Sequence, residues 1–110
     1  MPTNNHTLPA ENEARGSWDA HHRVFFHADD IHLEMILAAV GDDRTVIGQV
    51  FAEDGRLFPA LTVRLIYGEE RRTAITNYVG EFIFNQLESS SFVVELEFPD
   101  GPVAGRFQVE

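Results

Sequence analysis

The chain has 110 residues, with eight arginines, no lysine, 18 aspartates and glutamates and no cysteine, for a formal charge of -10. That length allows one domain, and an apolar content of 44% with nine phenylalanines is enough for a single core. Without cysteine there is no disulfide framework, thiolate metal site or thiol nucleophile; without lysine there is no P-loop lysine, Schiff base or lysine isopeptide crosslink. The negative field repels nucleic-acid phosphates and anionic lipid, so neither nucleic acid nor membrane is an expected partner.

In chain order, residues 1–20 are rich in Asn, Glu, Pro and His and carry no apolar period, which predicts a flexible N-terminal tail before a domain at 21–110. Trp18 is the exception, an aromatic placed to cap the adjoining core. No basic stretch followed by an apolar one opens the chain. The longest apolar run, Met35–Val40, falls well short of the roughly 20 residues of a bilayer span. A soluble, cytoplasmic protein is expected.

From His22 onward, short apolar runs alternate with turn residues. Arg23–His27 and Ile31–Leu37 flank Asp29-Asp30, and Ile31, Leu33, Met35 and Leu37 fall on one face, as in a hairpin. The competing reading of the second run is a helix capped by Asp30 and ended by Gly41. Thr45–Phe51 directs Val46, Gly48 and Val50 one way, and Leu61–Tyr67 does the same with Leu61, Val63, Leu65 and Tyr67. Arg71–Thr76 leads into Asn77-Tyr78-Val79-Gly80, a tight turn. Glu81–Leu87 turns Phe82 and Phe84 inward, and Ser91–Phe98 alternates Phe92, Val94, Leu96 and Phe98 against Val93, Glu95 and Glu97. A short last strand, Gly105–Val109, follows the turn Pro99-Asp100-Gly101-Pro102. The fold class expected is all-β, an antiparallel Greek-key β-sandwich of about seven to eight strands.

Several of these pieces occur in an informative order: Ile47-Gly48-Gln49-Val50, Asp54-Gly55 before Leu57, Pro59-Ala60 before Thr62-Val63, then Thr76-Asn77 through Gly80 to Phe82 and Leu87. Over about Thr45–Phe98 the chain resembles the carboxypeptidase regulatory-like domain of the transthyretin-like β-sandwich group. That family has a G-x-V strand, a D-x-x-G turn, a proline-led strand and a T-[DN]-x-x-G-x-F hairpin. The first turn here reads Glu53-Asp54-Gly55, and Asn77 stands where aspartate is commoner. The resemblance implies an accessory, non-catalytic module. The hydroxyisourate hydrolases of the same fold end in tyrosine-arginine-glycine-serine, whereas this chain ends Gly105-Arg106-Phe107-Gln108-Val109-Glu110. Starch-binding-like relatives of the sandwich imply a second possibility, carbohydrate stacking on Trp18, Tyr67 or Tyr78.

No residue pattern calls for catalysis, a metal or a cofactor. Ser89-Ser90-Ser91 lacks the setting of a nucleophile elbow. His27 and His32 flank Asp29-Asp30 but match no zinc spacing. Successive turns alternate between ends of a sandwich, so Asp29, Asp30, Glu53, Asp54 and Asp100 should share one end, where solvated turn acids are a simpler reading than a calcium site. Ile47, Phe51, Ile66 and Ile83 all sit opposite the inward positions. Those four are expected to share one sheet face, and together with Phe25 and Trp18 they are the expected interaction residues, for self-association or for docking on a partner protein.

Overall fold

A computed structural model of the chain describes residues 6–7, 14–16, 22–89 and 91–109; Trp18 lies outside them, as does most of 1–20. All regular structure among the described residues is β. The strands are β1 (His6–Thr7), β2 (Ala14–Gly16), β3 (His22–Ala28), β4 (Ile31–Val40), β5 (Asp43–Ala52), β6 (Thr62–Tyr67), β7 (Glu70–Ile75), β8 (Glu81–Phe84), β9 (Ser91–Phe98) and β10 (Gly101–Val109). They form two sheets. The first runs β3-β4-β5-β8, antiparallel throughout, and the second runs β1-β10-β9-β6-β7, with β2 also on β10. Within the segment read as a tail, β1 and β2 pair in parallel with β10, at Val103 and Ala104 and at Phe107 to Val109.

Alternation in the sequence becomes two apolar faces turned toward each other. Val24, Phe26, Leu33, Met35, Leu37, Val46 and Val50 come from the first sheet and Val63, Leu65, Phe92, Val94, Leu96 and Phe107 from the second; all are buried. Phe26 of the first sheet meets Phe107 of the second edge-on at 6.4 Å, and Phe107 stacks on Phe92 of its own sheet at 5.1 Å between centroids. The result is two packed β layers around one core, a sandwich-like arrangement.

Of the two readings of Ile31–Leu37, the strand is the one formed, and it extends to Val40 through ten cross-strand pairs with β5. A helix would have wrapped Leu33, Met35 and Leu37 around a cylinder, whereas flanking strands on both sides bury all three on one face. Two segments end differently from expectation. Glu81–Leu87 stops being strand at Phe84, because Gln86 takes φ 55° and Leu87 folds inward while its N–H donates to Arg44 O at 3.1 Å. The last strand begins four residues early, at Gly101, since Phe98 pairs with Gly101 across a two-residue Pro99-Asp100 turn. Pro102 is accommodated near the strand's start, where its missing N–H costs the ladder little.

The ordered pieces read from the sequence converge on one corner of this fold. Gly48 is the cross-strand partner of Phe82, whose ring tip occupies the space beside it; a β-carbon at Gly48 would overlap Phe82 Cζ. Gly80, at φ +81°, accepts the Val50 N–H on its carbonyl at 2.9 Å, and a β-carbon there would meet the Val50 carbonyl. Thr76 is buried, its hydroxyl accepting the Leu61 N–H at 2.8 Å and donating to Phe58 O at 2.6 Å. Asn77 Oδ1 accepts the N–H groups of Val79 and Glu81 at 3.0 and 2.9 Å, closing an Asx-type turn. Gly48, Thr76, Asn77, Gly80 and Phe82 each have an architectural task. Function has to be sought on the surfaces that this corner supports.

Candidate functional site

Because side chains alternate along each strand, the core-facing set of the first sheet leaves a complementary set on its outer face. Register across β3-β4-β5-β8 arranges these in rows. One row is Arg23, Ile36, Ile47 and Ile83; the next is Phe25, Glu34, Gln49 and Glu81; a third is His27, His32 and Phe51. Phe25 is 58% exposed, Ile83 52% and Ile47 41%, with Ile36 and Phe51 half-buried beside them. The acidic and basic side chains in these three rows are one arginine and two glutamates, and Arg23 Nη1 already bonds Glu34 Oε2 at 3.2 Å. On a chain at -10 this is a nearly neutral, apolar surface.

The outer face of the second sheet is built differently. Arg64 on β6 bonds Glu95 at 3.1 Å and Glu97 at 2.7 Å on neighbouring β9, and those bonds raise its pKa above the ordinary arginine value, Glu97 contributing most. Thr62, Thr73 and Arg71 surround this network. Ile66 belongs here, half-buried between Arg71 and Val93. The expectation that Ile66 shares a face with Ile47, Phe51 and Ile83 is therefore corrected: all four point away from the core, but β6 crosses to the other sheet. Alternation tells inward from outward and carries no information on which layer a strand joins.

Phe25, Ile47, Phe51 and Ile83 are thus brought together, Ile66 is separated from them, and Trp18 lies outside the described residues. Sequence reasoning missed Ile36, His32 and Gln49 as members of the face. Ile36 was recognisable as outward-facing, but its place beside Ile47 follows from the β4–β5 register. Of the carbohydrate candidates, Tyr67 packs edge-on against Phe92 at 5.3 Å, and Tyr78 is 83% exposed at the β7–β8 turn.

The histidine pair and the acidic end are also placed. His27 and His32 stand opposite one another, rings 6.1 Å apart, and His32 stacks on Phe51 at 5.4 Å and 12°. Asp29, Asp30 and Asp100 line a hollow of about 150 Å³, and Glu53 joins them through its N–H to Asp30 O at 2.7 Å. The shared end read from the sequence is present. Arg56 partly neutralises it, bonding Asp30 at 3.3 Å and Asp54 at 2.9 Å. Its backbone N–H, and then its guanidinium, hold the Asp54 carboxyl below the usual aspartate range. Among the described residues no group of three or more His, Cys, Asp or Glu side chains is disposed to hold a metal ion. At the opposite end, Asp42, Asp43, Gln86, Leu87 and Glu88 border an open basin of about 590 Å³.

Compared with known proteins, the chain matches no protein-family model, no curated protein and no solved structure.

Proposed function

We propose that the chain is a non-enzymatic accessory domain, similar to the carboxypeptidase regulatory-like modules of the transthyretin-like Greek-key sandwiches, that works by docking a protein surface on the outer face of the β3-β4-β5-β8 sheet. The observation that carries this reading is the contrast between the two outer faces. One has the Arg64–Glu95–Glu97 network at its centre and a single strongly exposed aliphatic, Ile75, on its edge strand β7, whereas the other groups Phe25, Ile47 and Ile83 open to water with little charge around them. Exposed aromatic and aliphatic groups set in a polar rim are what a protein interface core needs, and a low local charge lets another surface approach an acidic protein. The strand order is in keeping with the family reading, since the chain leaves the first sheet after β5, forms the β6–β7 hairpin in the second, and returns to place β8 beside β5.

The test is affinity capture from native extract with the wild-type chain, a Phe25→Thr/Ile83→Thr variant and an Arg71→Ser variant on the opposite sheet. Any captured protein is then purified and its binding measured directly. Threonine keeps the strand preference while removing apolar area. The expected result is a partner whose affinity falls about tenfold or more in the double variant and is unchanged in Arg71→Ser. A partner indifferent to the double variant would overturn the assignment of this face.

A further inference from the structure

The arrangement of residues on this face has a property that a generic apolar patch lacks, which is complementarity to itself. We propose that the surface docked there is a second copy of the chain, packed face to face about a two-fold axis that runs along the strands between β4 and β5. The proposal rests on the docking reading above and specifies its partner.

A rotation about that axis turns one sheet over and preserves height along the strands. It therefore lays β4 over the partner's β5 and β3 over the partner's β8, row on row. With the register observed, Ile36 of one copy covers Ile47 of the other and Ile47 covers Ile36, giving an aliphatic centre. Glu34, already bonded to Arg23, lies over Gln49, whose amide donates one N–H to Val79 O at 2.9 Å and carries a second, and His32 lies over Phe51, an imidazole over a ring it already stacks on within one chain. Arg23, at the margin on β3, faces β8 of the partner, where Glu81 stands one row from Ile83. One row is two residues, about 7 Å along a strand, and face-packed sheets cross at about 30°, so the guanidinium reaches the carboxylate. The other in-plane axis, across the strands through the Phe25 row, would place Glu34 on Glu34 and Glu81 on Glu81. Like charges brought together disfavour it.

The area sets the strength. Four strands about 4.8 Å apart and three rows about 6.7 Å apart make a face on the order of 400 Å² per copy, in the range of weak, transient contacts. A weak, reversible dimer with a micromolar dissociation constant is expected.

Sedimentation velocity on the full chain, from about 10 µM to 1 mM, reads this directly, with single variants Arg23→Glu and Glu81→Arg. Both residues are exposed, and the intrachain bonds the variants remove, Arg23 to Glu34 and Asn77 Nδ2 to Glu81, are surface contacts of small net worth, so the variants should keep the wild-type melting temperature within a few degrees. Each variant alone sets like charges against each other at two symmetric contacts and should weaken association about tenfold or more. An equimolar mixture of the two restores Arg–Glu at both contacts and should return to wild-type affinity. Restoration in the mixture supports both the partner and the axis. A mixture that associates no better than its components overturns the proposed packing. A wild-type chain that is monomeric throughout overturns the second copy as occupant, and leaves the face itself to the capture experiment. A dimer unaffected by Phe25→Thr/Ile83→Thr forms through another surface and overturns the second copy as occupant of this face.

Discussion

Gly48→Ala probes the corner on which both sheets depend. The added methyl would occupy the space of the Phe82 ring, which is only 4% exposed and packs edge-on against Phe84 at 5.8 Å. The ring has to move outward and gives up much of the about 2–3 kcal/mol that its burial contributes. Forcing a methyl into a filled site adds about 1–3 kcal/mol of packing strain. Against this, alanine narrows the unfolded ensemble and returns about 0.5–1 kcal/mol. The net expectation is a loss of about 3 kcal/mol, a large part of a small domain's stability. With a urea m-value of about 1–1.5 kcal/mol/M, the unfolding midpoint followed by circular dichroism should fall by about 2 M. Phe82→Leu in the Gly48→Ala background should recover part of the loss, with a coupling of about 1 kcal/mol or more in the double-mutant cycle. Gly48→Ala unfolding at the wild-type midpoint would refute the claim that glycine is there to seat the ring.

Three further outcomes follow from particular contacts. Thr76→Val leaves the Leu61 N–H and the Phe58 carbonyl without their shared partner and should cost about 2–3 kcal/mol in urea unfolding, whereas Thr76→Ser, which keeps the hydroxyl, should cost about 1 kcal/mol or less. Arg56→Ala removes the guanidinium from Asp54 and keeps the backbone N–H that contributes most, so an NMR titration should show the Asp54 pKa rising without a full return to the ordinary aspartate range. A carboxyl with a lowered folded-state pKa adds stability above its unfolded-state pKa and loses it as pH falls through the folded one, so the variant should show a slightly shallower acid limb of stability against pH. Finally, Phe25→Thr/Ile83→Thr should leave thermal unfolding of the dilute chain within about 1 kcal/mol of wild type, because both side chains already face solvent. A larger loss would mean that this face packs against part of the chain.

The division between what the residue string determined and what only folding in three dimensions decided follows from the range of each interaction. Which side chains turn inward was legible from Leu33 to Leu96, because alternation on an extended backbone is local and one buried face imposes it on every strand. The turns were legible for the same reason, since Asn77 and Gly80 bring their own geometry. Partition between layers was not: Ile47 and Ile66 present the same outward pattern, and they part only because β5 pairs with β4 and β8 while β6 pairs with β7 and β9. The same non-local pairing sets Phe82 on Gly48, puts Ile36 beside Ile47, and moves the start of the last strand to Gly101 through its match with Phe98. Periodicity identifies a surface residue. Cross-strand register, which depends on contacts far apart in the chain, decides what stands next to it and hence what the surface can bind.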